Sequence, residues 1–68
     1  MSMCTFQFKT RHSFKKVAWA LLDTPFHFST VYGEAHYNLP RCITVWGDTA
    51  IENVRNACKD AGISYTEV

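Results

Sequence analysis

The sequence predicts an α+β domain in which two helices cover one face of a four-stranded antiparallel sheet. Three observations support this prediction. Residues 4–9 alternate apolar and polar side chains, two later segments repeat apolar residues at helical spacing, and the segments beside them are rich in β-branched and aromatic residues. Alternation places side chains on opposite faces of a strand, whereas a spacing of three and four places them on one face of a helix.

The first strand and the first helix follow directly from these spacings. Cys4, Phe6 and Phe8 alternate with polar residues, which predicts a strand with one buried face. Polar residues at 10–13 then cap a helix that should end at Thr24-Pro25, because proline cannot continue the helical hydrogen bonds. Trp19 falls at the margin of its apolar stripe. That stripe consists of Phe14, Val17, Ala18, Leu21 and Leu22.

Two further strands are expected in the middle of the chain. Residues 26–37 combine β-branched and aromatic side chains, with Gly33 as a bulge or bend, and predict the second strand. Residues 38–40 read Asn-Leu-Pro, a turn sequence, and residues 41–46 alternate again. The second and third strands should therefore form an antiparallel hairpin.

The second helix and the last strand complete the order. Thr49 and Glu52 have the spacing of a capping box, in which the two side chains satisfy backbone N–H groups at a helix start. Gly62 suits the left-handed residue after a helix, and residues 63–68 predict a short strand. The predicted apolar stripe of this helix is Ile51, Val54, Ala57, Cys58 and Ala61.

The resulting βαββαβ order resembles the ferredoxin-like fold, with residues 1–68 as a single domain. Both crossovers should be right-handed, so the helices lie on one face of the sheet, over Phe6, Phe8, Ile43 and Val45. The other face is then open. We expect it to carry Thr5, Gln7, Lys9, Cys42, Thr44 and Trp46.

Composition limits the class of protein. The chain has 68 residues, 47% of them hydrophobic, which is enough for one small core and too apolar for a disordered tail. A net charge of +1 indicates neither a nucleic-acid nor a membrane partner. The longest apolar run, 17–22, cannot span a bilayer, so we expect a soluble, cytoplasmic protein. Three cysteines without C-x-x-C spacing predict reduced thiols.

The sequence contains no pattern that indicates catalysis, a metal or a cofactor. The spacing of His12, His27, His36 and the three cysteines does not match zinc-binding pairs. The chain has no nucleophile motif and no glycine-rich phosphate loop, and Asp48 is explained as a residue at a helix start. We therefore expect a protein that is not an enzyme.

Two surfaces are predicted to bind a partner. The first is the open sheet face, where Trp46 and the nearby Tyr32 supply aromatic area of the kind found at protein interfaces, as does Trp19 at the helix margin. The second is a basic cluster at the first strand-to-helix junction, where anions would be attracted. Its members are Lys9, Arg11, His12, Lys15 and Lys16.

We expect a small non-catalytic module that binds another protein. Small domains without a catalytic pattern suggest inhibitors that phages or mobile elements direct at a host enzyme or a defence complex, in the manner of an anti-CRISPR protein. Two alternatives stay open: a nucleic-acid-binding module that uses residues 9–16 and the open face, and a small dimeric ligand-binding regulatory domain. The uncovered sheet face and its edges also predict a homodimer.

Overall fold

The computed structural model describes residues 2–31 and 41–68, and these residues form the predicted α+β architecture in βαββαβ order. The two helices and four strands are β1 (Met3–Phe8), α1 (Arg11–Leu22), β2 (Phe28–Val31), β3 (Cys42–Trp46), α2 (Asp48–Ala61) and β4 (Tyr65–Glu67).

The four strands form one antiparallel sheet in the order β2-β3-β1-β4. β1 and β3 are central, and their register pairs Phe6 with Ile43 and Thr5 with Thr44. Residues directly opposite each other in an antiparallel pair point to the same face. The register therefore separates an apolar face from a more polar one, as the alternation predicts.

The core lies between the apolar sheet face and the two helices. Phe6, Phe8, Ile43 and Val45 are at most 1% exposed, which confirms the predicted core positions of β1 and β3. The helices cover them with the remaining buried members of the cluster: Phe14, Val17, Leu21, Ala50, Ile51, Val54 and Cys58.

Helix α1 begins and ends where its sequence indicates. Thr10 is the N-cap, and its Oγ1 accepts a hydrogen bond from the Ser13 backbone N–H at 3.1 Å. At the other end Asp23 is the C-cap, and the Thr24 hydroxyl donates to the Leu21 carbonyl at 2.7 Å. These bonds satisfy backbone groups that a helix leaves unpaired at its ends.

Helix α2 begins differently from the prediction. The helix starts at Asp48, so Thr49 lies inside its first turn and the predicted capping box is wrong. The N-cap is Gly47, at φ 97° and ψ 140°, and it makes no side-chain cap bond. A positive φ of this kind favours glycine, and it decides where the helix starts. The predicted left-handed Gly62 is confirmed at φ 68°.

Three residues that the apolar stripes placed in the core are instead exposed: Leu22, Ala57 and Ala61. At 100° per residue, Leu22 and Ala57 fall outside the narrow arcs that face the sheet. Ala61 is the last residue of α2, where the helix ends. Ala50, which the stripe omitted, is 1% exposed.

The second strand is shorter in the described residues than predicted. β2 begins at Phe28 rather than at residue 26, and its pairing with β3 is antiparallel as expected. Gly33, Tyr37 and the predicted turn at 38–40 lie outside the described residues. No helix in the ranges 2–31 and 41–68 is long and apolar enough to cross a membrane.

Candidate binding surfaces

Four large apolar side chains are exposed in the described part of the chain, and they fall on two opposite surfaces. Met3 and Val68 are 61% and 53% exposed and lie on the sheet. Trp19 and Leu22 are 68% and 63% exposed and lie on α1. Exposed apolar side chains indicate a binding surface when they form a contiguous patch. The residues next to each pair therefore decide whether it forms one.

The first surface is the open-face patch, which we define as Met3, His27, Trp46 and Val68. The β1–β3 register sets Met3 opposite Trp46, which confirms that Trp46 faces away from the helices. The imidazole of His27 lies beside the indole of Trp46, with ring centroids 4.9 Å apart and planes tilted by 46°. The backbone N–H of Val68 donates to the Thr5 carbonyl at 2.9 Å, which continues β4 along this face.

Polar side chains occupy the centre of the same face. The hydroxyls of Thr5 and Thr44 form a hydrogen bond of 2.8 Å between β1 and β3. Cys42 also lies on this face, opposite Gln7 and Val31, yet only 4% of it is exposed. The predicted position of Cys42 is thus confirmed, although its thiol offers almost no surface.

The second surface is the helix stripe, which we define as Arg11, Lys15, Trp19 and Leu22. At 100° per residue these four side chains fall within about 80° of arc on one flank of α1. All four are exposed. Lys16 is exposed as well and lies beyond the edge of this arc, about 60° from Trp19 around the helix. The stripe is therefore basic toward the N-terminal end of α1 and apolar toward its C-terminal end.

The predicted basic cluster is exposed throughout, and one more arginine lies beside it. Arg41 adopts a left-handed conformation with φ 56°. Its carbonyl accepts from the Phe8 N–H at 3.0 Å, and its Nε donates to the Phe8 carbonyl at 3.1 Å. These bonds hold Arg41 at the end of β1, next to Lys9. No sequence pattern indicated this contact.

A cluster that the sequence did not predict joins β1, β4 and α2. The Arg55 guanidinium donates two hydrogen bonds of 2.8 Å to the Glu67 carboxylate, and the Cys4 thiol lies 3.4 Å from the same carboxylate. The Arg55 hydrogen bond lowers the pKa of Glu67. Burial and then the hydrogen bond to Glu67 raise the pKa of Cys4. The cluster ties the edge strand β4 to α2.

The thiols of the three cysteines all have raised pKa values. Burial raises the pKa of Cys42 and Cys58 as well as that of Cys4, so all three stay protonated near neutral pH. Because the thiolate is the reactive form, this works against a nucleophilic role. Within 2–31 and 41–68, no three His, Cys, Asp or Glu side chains come together to hold a metal ion.

The described residues also line an open depression of about 500 Å³ on the outer side of α2. The described residues that line it are polar and belong to this one helix, whereas pockets for small ligands are usually concave and mostly apolar. It does not resemble such a site. The lining residues are Asp48, Thr49, Glu52, Asn53 and Asn56.

Comparisons with protein-family models, with curated proteins and with solved structures found no match. The strand order alone does not determine a function. A proposal must therefore come from the two surfaces.

The predicted binding residues do not form one site. Arg11, Lys15 and Trp19 lie together on the helix stripe, whereas Trp46 lies on the opposite side of the sheet. Tyr32 and His36 lie outside the described residues. Sequence reasoning missed Met3, Val68 and His27, although the odd-numbered positions of β1 had already been assigned to the face that Met3 occupies. It also missed Leu22, because the apolar stripe of α1 was drawn too wide.

Proposed function

We propose that this protein is a non-catalytic module that binds another protein through the open-face patch. The observation that supports this most is the pairing of Trp46 with the 61% exposed Met3 on the sheet face that the helices leave uncovered. Tryptophan is enriched among residues that dominate binding energy, and methionine adapts to the shape of a partner.

The arrangement of the patch fits a protein partner. Met3 and the His27 ring lie beside Trp46, and the Thr5 and Thr44 hydroxyls on the same face are already hydrogen-bonded to each other and cost little to cover. Aromatic and apolar side chains beside satisfied polar groups are typical of protein interfaces. Within this class we favour an inhibitor that a phage or mobile element directs at a host enzyme or defence complex.

The two tryptophans allow a matched test by affinity capture from host-cell lysate with nuclease present. Trp46→Ala should abolish recovery of the partner, whereas Trp19→Ala should retain it, because the two side chains lie on opposite surfaces. Circular dichroism checks that both variants fold. If Trp46→Ala folds and captures the same protein as efficiently as the unchanged chain, the open-face patch is not the binding surface. Loss of activity of the captured enzyme at stoichiometric ratio would support inhibition.

A nucleic-acid-binding module is the second candidate, and the basic cluster favours it. Lys9, Arg11, Lys15 and Lys16 are exposed along the β1–α1 junction and the N-terminal half of α1, and Arg41 is hydrogen-bonded to Phe8 next to Lys9. Phosphate contacts release counterions, so binding through this end should weaken steeply as salt rises from about 50 to about 200 mM. Binding through the open-face patch should change little over the same range. Fluorescence anisotropy with a labelled oligonucleotide separates the two.

A third candidate, a small dimeric regulatory domain that binds a ligand, requires a pocket at a subunit boundary. The depression on α2 is not such a pocket, because its described lining residues are polar and belong to one helix of one chain.

A further inference from the structure

The side chains of the helix stripe are complementary to the same stripe on a second, antiparallel copy of the helix. Arg11 and Lys15 occupy its N-terminal half, Trp19 and Leu22 its C-terminal half, and Asp23 follows as the C-cap. One end is therefore basic, and the other is apolar and acidic. A surface of this kind is complementary to itself when two helices lie antiparallel.

The charges of α1 also run against its own dipole. The first turn of α1 contains no acidic residue and its last turn contains no basic one. Arg11 and His12 instead stand near the positive N-terminal end, and Asp23 stands near the negative C-terminal end. An antiparallel second helix offsets both penalties, because it places its acidic C-terminal end beside the basic N-terminal end of the first.

We propose that a second copy of this chain docks antiparallel on the helix stripe, related by a two-fold axis at the level of Val17. Lys15 of each copy then faces Trp19 of the other, and Arg11 faces Asp23. Two-fold symmetry makes each contact occur twice. A lysine ammonium is attracted to the face of an indole ring, and an arginine to a carboxylate.

This dimer is compatible with the open-face patch, because α1 lies on the other side of the sheet. Helix α1 has 12 residues and is about 18 Å long, so the interface is smaller than that of a permanent dimer. We expect a dimer that dissociates at micromolar to millimolar concentration. Sedimentation velocity between about 10 μM and 1 mM would detect it.

Exposed side chains of the two helices supply the variants and their control. Trp19→Ala should raise the dimer Kd at least about tenfold, because each copy loses the centre of its interface. Lys15→Ala should weaken the dimer severalfold, whereas Lys59→Ala should leave it unchanged, since Lys59 lies in the last turn of the other helix, α2. All three residues are exposed, so the fold should persist.

Charge reversal tests the pairing of Arg11 with Asp23 directly. Arg11→Asp sets two carboxylates opposite each other at both ends of the interface, and Asp23→Arg sets two guanidinium groups opposite each other. Each variant alone should be monomeric at concentrations where the unchanged chain is dimeric. An equimolar mixture should dimerise again, because both pairs then have opposite charge. Circular dichroism and thermal unfolding check that each variant is folded at the concentrations compared.

Three results would overturn the proposal. The first is a chain that stays monomeric at about 1 mM. The second is a dimer whose Kd is unchanged by Trp19→Ala and by both charge reversals, which would place the interface elsewhere, for example on the sheet. The third is a chain that is monomeric and binds a different protein, with that binding lost in Trp19→Ala. The helix stripe would then be the binding surface for that protein.

Discussion

The two helices pack on the same sheet but differ in what they present outward. The outer side of α2 is polar, with Asp48 in its first turn and Lys59 in its last turn, as the helix dipole favours. Helix α1 carries Trp19 and Leu22 outward and has its charges in the opposite order. A helix whose outer side faces only water gains nothing from an exposed tryptophan and leucine or from charges that oppose its dipole. The comparison indicates that α2 is complete within one chain, whereas α1 is suited to a partner.

The sharpest test of this comparison uses two adjacent leucines of α1. Leu21 is 2% exposed and Leu22 is 63% exposed. Leu21→Ala should cost about 2–5 kcal/mol of unfolding free energy, which approaches the whole stability of a domain of this size. Leu22→Ala should change it by less than about 0.5 kcal/mol at concentrations where the chain is monomeric. Urea unfolding measures both, and equal losses would mean that Leu22 belongs to the core.

A second test concerns how the two helices begin. Thr10→Ala removes the side-chain cap of α1 and should cost about 0.5–2 kcal/mol. Thr49→Ala should be neutral or slightly stabilising, because Thr49 lies inside α2 without capping it and alanine has the higher helix propensity. Thermal unfolding compares the pair. A large loss for Thr49→Ala would restore the capping box that the sequence suggested.

A third test addresses charge order at helix ends. Asp48→Asn removes an acid from the first turn of α2 and should cost about 0.3–1 kcal/mol at low salt. Asp23→Asn removes an acid from the C-terminal end of α1 and should stabilise the dilute monomer by a similar amount. Both effects should fade in 1 M salt, where charges are screened within about 3 Å. If both substitutions changed stability in the same direction at low salt, the two helices would not differ in how their charges match the helix dipole.

The smallest expected effect is the pH dependence of the link between α2 and β4. The folded-state pKa of Glu67 is lowered by Arg55, so its contribution is present above the unfolded pKa of about 4.3 and is lost as pH falls through the folded pKa. The unchanged chain should therefore be more stable than Glu67→Gln at pH 7, and the difference should shrink at acid pH. Urea midpoints across this range measure it, with Asp60→Asn as a control. A constant difference would exclude the ionised contact.

The sequence was sufficient for the fold because β1, β3 and α1 combine clear periodicity with end signals. Phe6 and Phe8 alternate cleanly, and Thr10 caps where a polar residue precedes an apolar stripe. The start of α2 was misplaced because Thr49 and Glu52 fit a capping box, while the positive φ of Gly47 is a backbone property that no spacing reveals.

The candidate surfaces were predicted only in part. Alternation placed Trp46 on the open face correctly, and the margin position of Trp19 agreed with its exposure. The arrangement of Met3 and His27 around Trp46 depends on strand register, and the Arg55–Glu67 contact joins residues on separate elements. Neither can be derived from spacing along the chain, because both arise only when distant segments meet.

The position of β1 between β3 and β4 has a consequence for how the protein folds during synthesis. Cys4 and Glu67, which lie 63 positions apart, come into contact, and Phe6 pairs with Glu67 across the β1–β4 ladder. One edge of β1 therefore stays unpaired until the ribosome adds residues 63 positions further along, at roughly 5–20 residues per second. Contacts this distant along the chain slow folding. Until β4 emerges, β1 exposes an unpaired edge to chaperones and to other nascent chains.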